Sequence, residues 1–159
     1  MSGDATIEAE LAELRSRLAR LEDVEAIWRL FMEYRNHLDR RDFAAYAQLF
    51  AEDGEWLGNL GHARGRAEIE QLLIRTLERH ADESVAHLHL IDNPVIDVDG
   101  DRATSESTWV YITRDFSDNP VLSLIGHYRD VLTRTQDGWR FQRREAYLDF
   151  PFSELDLSE

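Results

Sequence analysis

Apolar residues recur at spacings of three and four along the first forty residues, which is the period of an amphipathic helix. The stripe begins with Leu11, Leu14, Leu18 and Leu21, and it is roughly continued by Val24, Ile27, Phe31 and Leu38. Up to about Glu22 it is narrow and consists of leucine, as in a seam against a partner chain or against the body of the domain. The heptads do not continue, so the sequence predicts a leading helix over residues 1–22 rather than a long coiled coil.

Two more helices are predicted in the first half of the chain. Asp42 is a typical N-cap for a short helix, whose apolar face carries Phe43, Tyr46, Ala47 and Phe50. The polar run Glu52–Gly54 ends that helix, Glu55–Leu60 is a predicted strand, and Gly61–Gly65 is a predicted loop. A third helix follows, with Ile69, Leu72, Leu73 and Leu77 facing inward.

From Val85 onward the apolar period changes to two, which is typical of strands. The predicted strands are Val85–Asp92, Val95–Tyr111 with a turn at Asp99–Gly100, Val121–Arg134, and Trp139–Phe150. Helices that precede antiparallel strands indicate an α+β fold. We therefore expect one domain over residues 1–159, with a curved sheet wrapped around three helices and a pocket between them.

Composition excludes several functional classes. The formal net charge of −14 argues against a nucleic-acid partner, since phosphate backbones are bound by basic surfaces. The absence of cysteine excludes disulfides, zinc–thiolate sites and cysteine nucleophiles. No apolar run approaches the roughly 20 residues that span a bilayer, so we expect no membrane partner. The acidic N-terminus is unlike a signal peptide, and a cytoplasmic protein is expected.

Two short motifs have the appearance of metal sites. Asp97–Asp101 resembles the start of a calcium loop, but Thr108 stands where the loop needs glutamate, and a hairpin turn is favoured. His87 and His89 share one face of a strand, yet any further ligands would have to come from distant groups such as Asp39 or His127. We expect no metal.

The segment Tyr34–Trp56 has the sequence YRNHLDRRDFAAYAQLFAEDGEW and carries a family resemblance. It resembles the SnoaL-like branch of the nuclear transport factor 2-like superfamily, as do His89–Asn93, Gly126–Asp130 and Gly138–Arg144. Each piece alone is weak, but their order and spacing together are fairly specific. The resemblance covers nearly all of the chain after about residue 20, and it implies a cone-shaped α+β fold.

The resemblance also implies a catalytic dyad. Dehydratases and a dehydrochlorinase of this kind have an aspartate matching Asp39 and a histidine matching His89. A neutral imidazole is a competent base near neutral pH when a carboxylate orients its other nitrogen. Tyr34 and Arg144 are the two candidates for stabilising developing negative charge, and Trp56 is a candidate substrate contact. This chemistry needs no cofactor.

Strand alternation suggests the remaining pocket residues. Val110 and Ile112 share a face of one strand, and Ile125 and His127 share a face of the next. The resemblance makes these faces, together with that of Arg144, Ala146 and Leu148, the concave ones. Trp139, Phe141 and Tyr147 then fall on the outer face and need covering, so we expect a homo-oligomer, with a trimer favoured and a dimer possible.

The first functional hypothesis is a lyase that eliminates water or another group from a small, cyclic, largely apolar substrate. An isomerase or a polyketide-type cyclase on the same dyad is the nearest alternative, because both begin with proton abstraction next to a carbonyl. The other class is non-catalytic: a small-molecule-binding module, or an accessory subunit like the β-subunits of ring-hydroxylating dioxygenases.

Overall fold

The computed structural model describes residues 2–77 and 87–150. Three helices and six strands follow one another along the chain. They are α1 (Ser2–Asp39), α2 (Phe43–Gln48), β1 (Phe50–Gly58), β2 (Gly61–Arg64), α3 (Arg66–Leu77), β3 (Leu88–Asp99), β4 (Arg102–Arg114), β5 (Pro120–Thr135) and β6 (Gly138–Phe150). Within the described residues, no helix has the length and apolar character required to cross a membrane.

The six strands form one curved sheet in the order β2-β1-β6-β5-β4-β3. All neighbours are antiparallel except β1 and β6, which run parallel. Helix α1 packs against β3 and β6, α3 packs against β1 and β2, and α2 lies between the other two helices. This mixed α+β architecture confirms the predicted fold class.

Three predicted boundaries are wrong. The segment 61–64 is strand β2 rather than loop, because it pairs with the end of β1. Residues 52–54 lie inside β1, where the pairing with β6 shifts register between Phe50 and Glu55. The break predicted after Asp92 is a bulge within β3, at which Asn93 takes a positive φ of 52°. The predicted strand start at Val85 lies outside the described residues.

Helix α1 has two separate apolar stripes. Every residue from Thr6 to Glu22 is exposed, including the leucines of the first stripe. The second stripe, which packs into the core, consists of Ile27, Leu30, Phe31, Tyr34 and Leu38. The prediction that one stripe continues along the helix is therefore wrong, and the first stripe does not pack on its own domain.

Asp23 fastens α1 at the point where the helix reaches the domain. Its carboxylate accepts two hydrogen bonds of 2.7 Å from the guanidinium of Arg134 and one of 3.0 Å from the indole of Trp139. The Arg134 guanidinium also lies over the Trp139 ring, 4.6 Å from its centroid. Hydrogen bonding to Arg134 lowers the pKa of the Asp23 carboxyl, although burial acts in the opposite direction.

We expect Asp23→Asn to lower the free energy of unfolding at pH 7 by about 1 kcal/mol, because the pair is bidentate but Arg134 is partly exposed and screened. The folded-state pKa of Asp23 is depressed, so its contribution is fully present above the unfolded carboxyl pKa. It is lost as the pH falls through the folded pKa. Urea unfolding should therefore separate wild type from variant more at pH 7 than at a pH below the unfolded carboxyl pKa, and an equal difference at both pH values would contradict this account.

A one-residue bulge in β6 changes which side chains face the core. Asp130 pairs with Arg144 and Val131 with Arg143, but Leu132 pairs with Phe141, so Gln142 is the extra residue. Trp139, Phe141 and Arg144 consequently all lie on the inner side, each at most 4% exposed. The prediction that Trp139 and Phe141 are on the outer face is wrong, and these two aromatics need no covering by another subunit.

Candidate active site

Asp39 and His89 form a close pair between the end of α1 and the start of β3. The His89 ring Nδ1 lies 2.6 Å from Asp39 Oδ1, and the His89 backbone N–H lies 3.2 Å from both carboxylate oxygens. An ionised carboxylate only accepts hydrogen bonds, so the proton of a neutral ring is on Nδ1 and Nε2 presents a lone pair. Both side chains are mostly buried, with 14% of Asp39 and 18% of His89 exposed.

The turn after α1 brings Arg41 beside this pair. The amide of Asp42 bonds to His37 O and that of Arg41 to Leu38 O, which is the Schellman pattern of a helix end. Arg41 occupies the left-handed position of the motif, with a φ of 58°, where glycine is usual. A bulky residue held in this strained conformation is common at functional sites. The Arg41 guanidinium donates to Leu77 O at 2.9 Å.

The His89 side of the pair faces a cavity of about 200 Å³ between the helices and the sheet. Its lining is mainly apolar and aromatic, and Arg41 is its one Lys or Arg among the described residues. The lining consists of Tyr34, Leu38, Arg41, Phe43, Tyr46, Trp56, Asn59, Leu60, Leu73, Leu77, His87, His89, Trp109, Tyr111, Leu124, Tyr128 and Ala146. An apolar cavity with a few convergent polar groups is the usual form of a small-molecule site.

One wall of the cavity is a cluster of phenols. The Trp56 indole donates to the Tyr34 hydroxyl at 3.3 Å, and the Tyr34 ring centroid is 4.5 Å from that of Tyr46 and 5.7 Å from that of Tyr128. Burial raises the pKa of Tyr46 and of Tyr128 well above the ordinary phenol value, and contact with Tyr34 raises both further. Tyr46 and Tyr128 therefore remain protonated, and both are neutral hydrogen-bond donors.

The histidine side of the cavity is shaped by β4. The ring of Tyr111 is 4.6 Å from that of His89, its cross-strand partner. Burial raises the pKa of Tyr111, while the nearby charges of Arg41 and Asp39 act on it in opposite directions. Further along β4, Trp109 lies against Gly126, where an added Cβ would stand 2.5 Å from the indole and 2.0 Å from Tyr147 O. Only glycine leaves room for that ring.

Arg144 is not at the cavity surface, although the sequence nominated it as a site residue. It is fully buried behind the phenol wall, where its guanidinium bonds to both carboxylate oxygens of Asp130 at 2.7 and 2.8 Å. It lies 4.1 Å from the ring centroids of Tyr34, Tyr128 and Phe141. Burial would lower the pKa of Arg144, but the charge of Asp130 outweighs the effect of burial, and the pKa of Arg144 is raised. Arg144 therefore supports the cavity wall, and its predicted contact with the leaving group is wrong.

The four predicted lining residues of β4 and β5 are also placed wrongly. The cavity is lined from these strands by Trp109, Tyr111, Leu124 and Tyr128 instead. Val110, Ile112, Ile125 and His127 alternate with those residues and belong to the opposite face. His127 there stacks on Tyr147 and contacts Asp149 at 2.8 Å.

The sequence did contain a signal for the correct face. Alternate positions of β4 carry Arg102, Thr104, Glu106 and Thr108, a set suited to solvent. The intervening positions carry Ala103, Ser105, Ser107 and Trp109, all of which are buried. Val110 and Ile112 continue the solvent set. Strand alternation correctly placed Val110 and Ile112 on the same face, but the resemblance wrongly made that face the concave one.

Tyr34, Trp56 and His89 are thus the nominated residues that line one cavity, and Asp39 contacts the His89 ring beside it. Among the described residues, no group of three or more histidine, aspartate or glutamate side chains is placed to hold a metal ion. Arg41, Tyr46, Trp109, Tyr111 and Tyr128 line the cavity and were not nominated. Arg41 carries no sequence signal, because nothing in the Arg40–Arg41 pair distinguishes one arginine from the other.

Comparison with known proteins agrees with this architecture. A family model described as the SnoaL-like domain matches residues 19–145. No curated protein matches the chain significantly. An NTF2-like protein with a cystatin-like fold from Novosphingobium aromaticivorans is 33% identical with a TM-score of 0.76, and the match covers 85% of this chain and 87% of that one.

Two further solved structures are similar. ActVI-ORFA from Streptomyces coelicolor is 26% identical with a TM-score of 0.72, over 81% of this chain and 96% of its own. A protein from Catenulispora acidiphila in complex with S-DNPA is 23% identical with a TM-score of 0.68, over 83% of this chain and 95% of its own. At that identity the likeness shows the fold alone.

Proposed function

This chain belongs to the SnoaL-like domain family of the nuclear transport factor 2-like superfamily, and we propose that it is a cofactor-independent lyase. The observation that carries the proposal is the pairing of His89 Nδ1 with Asp39 at 2.6 Å beside a largely apolar cavity. An imidazole whose other nitrogen is held by a carboxylate is a positioned general base. Asp39 also lies at the carboxyl end of α1, where the helix dipole favours the imidazolium that forms.

The proposed reaction is the elimination of water from a carbon acid. His89 Nε2 takes a proton from the carbon next to a carbonyl, and the C–H electron pair becomes the new C=C bond. The C–O bond to the leaving group breaks with its electron pair, and the Tyr34 hydroxyl supplies the proton that releases the oxygen as water. Exchange with solvent then returns a proton to Tyr34 and removes one from His89, so the enzyme ends unchanged.

The size and charge of the cavity suggest the substrate class. A volume of about 200 Å³ exceeds the roughly 150 Å³ that accommodates benzene, so it suits a molecule of one or two small rings. The aromatic lining favours an apolar body. Arg41 places a cation at the cavity, and we assign it to a carbonyl or carboxylate oxygen of the substrate.

The test is a panel of one- and two-ring ketones with a hydroxyl β to the carbonyl, incubated in D₂O and followed by mass spectrometry. Loss of water with a conjugated product is the expected result. Deuterium uptake or a shifted double bond without loss of water would instead favour the isomerase or cyclase alternative. Binding by calorimetry with neither reaction would favour a non-catalytic module.

Arg41→Gln is expected to raise KM about tenfold for panel members that carry a carboxylate, and to change kcat by less than about threefold. The reason is that in these compounds the guanidinium binds the carboxylate, which is remote from the C–H bond that breaks. Steady-state kinetics on a matched carboxylate and methyl ester measure the effect, and the ester is the control. Equal KM changes for both compounds would contradict the assignment.

A further inference from the structure

The first stripe of α1 is an apolar surface without a partner in its own domain. It consists of Ile7, Leu11, Leu14, Leu18 and Leu21, which are between 45% and 66% exposed. Contiguous apolar surface of this kind marks an interaction site. We propose that this segment forms a parallel coiled coil with the same segment of a second copy of this chain.

The spacing of the stripe is that of a coiled-coil seam. The intervals between the five residues are four, three, four and three, so Leu11 and Leu18 take a positions and the others take d positions. A parallel pair in register stacks all five residues against their counterparts. The repeat ends after Leu21, since Glu25 occupies the next a position. The seam is therefore two heptads long.

The flanking charges complement one another in the parallel arrangement. The g residue of one helix faces the e residue five positions later on its partner. Here Glu10 faces the partner's Arg15, and Arg17 faces the partner's Glu22, so every complete g–e′ pair of the seam is attractive. The same pairs form at each interface whether two or three copies associate.

An antiparallel pair fits the stripe less well. The register that pairs Glu8 with Arg15 and Glu10 with Arg17 leaves Leu21 outside the seam. The register that includes Leu21 sets Arg15 against Arg15 and Glu8 against Glu22. The parallel arrangement alone buries all five apolar residues without a like-charge contact.

The stripe also points in a direction that leaves room for a second copy. At about 3.6 residues per turn, the exposed stripe lies about 160° around the helix from the buried stripe that begins at Ile27. The domain, fastened at Asp23, is therefore on the far side of α1 from the leucines. Two copies can pair their leading helices while their domains stay outside the seam.

Sedimentation equilibrium of the full chain between about 1 and 100 μM tests the proposal. We expect wild type to associate, and Leu14→Glu to weaken association by at least about tenfold while the unfolding midpoint of the domain is unchanged. The matched control is Leu122→Glu, which alters an equally exposed residue of β5. A wild-type monomer at 100 μM, or association that depends on Leu122 and not on Leu14, would overturn the proposal.

Charge reversal tests the direction of the helices. Glu10→Arg and Arg15→Glu should each weaken association, and the double variant should restore it, because the parallel g–e′ pair is re-formed with its charges exchanged. In an antiparallel pair the double variant would set like charges together at two places and bind no better than either single variant. That result would overturn the parallel arrangement.

Discussion

Asp39→Asn and His89→Gln should each lower kcat by about 10²- to 10⁴-fold on any substrate that the panel identifies, with little change in KM. Glutamine removes the base. Asparagine still accepts a hydrogen bond from the His89 amide, but it neither fixes the ring tautomer nor balances the imidazolium charge. Single-turnover and steady-state kinetics with urea unfolding of each variant are the measurements.

The structure supplies a matched control for this experiment in a second histidine–aspartate pair. His127 Nδ1 contacts Asp149 at 2.8 Å on the outer face of the sheet, away from the cavity lining. His127→Gln should therefore keep wild-type kcat and KM. The dyad proposal fails if His89→Gln stays within about threefold of wild type, or if His127→Gln loses as much activity as His89→Gln.

Arg144→Met is expected to be the most destabilising of the substitutions considered, by about 3–5 kcal/mol. It leaves the Asp130 carboxylate buried without its guanidinium partner, and it removes the cation that lies 4.1 Å from three aromatic ring centroids. For a domain of this size the melting temperature should fall by about 10 °C or more. Calorimetry and urea unfolding at pH 7 measure the loss.

A second variant shows whether the loss of stability comes from the Asp130 carboxylate that is left buried without its partner. Arg144→Met combined with Asp130→Asn removes both charges, while the asparagine oxygen still accepts from Ser105, which bonds to Asp130 at 2.9 Å. The double variant should unfold at a higher urea concentration than Arg144→Met alone. The pair does not stabilise the core as argued if the losses of unfolding free energy caused by Arg144→Met and by Asp130→Asn simply add in the double variant. The same holds if Arg144→Met lowers the unfolding free energy by less than about 1 kcal/mol.

Most of the fold followed from periodicity. The three helices and the long strands of the second half were predicted because their apolar periods are sustained over many residues. β2 was missed because it is four residues long, begins at a glycine and is followed by another, so only its pairing with β1 makes it a strand. The two stripes of α1 were predicted as one because both have apolar residues at spacings of three and four. Spacing alone does not show that they lie on different sides of the helix.

The candidate site was predicted in part, and the errors have more than one cause. Tyr34, Asp39, Trp56 and His89 were found through motifs of the family. Which side chains meet across strands depends on register, and the residue opposite Arg144 is Asp130 only because of the pairing between β5 and β6. Local sequence also cannot show that Arg41 adopts a positive φ and turns toward the cavity.

The extra residue in β6 makes this point of the strand tolerant of a change in length. Removing Gln142 alone would restore regular alternation, and Arg144 would then follow Phe141 by two positions and lie on the same inner face. Arg144 would still lie opposite Asp130. An alignment that places a one-residue gap at Gln142 therefore implies the same core without the bulge.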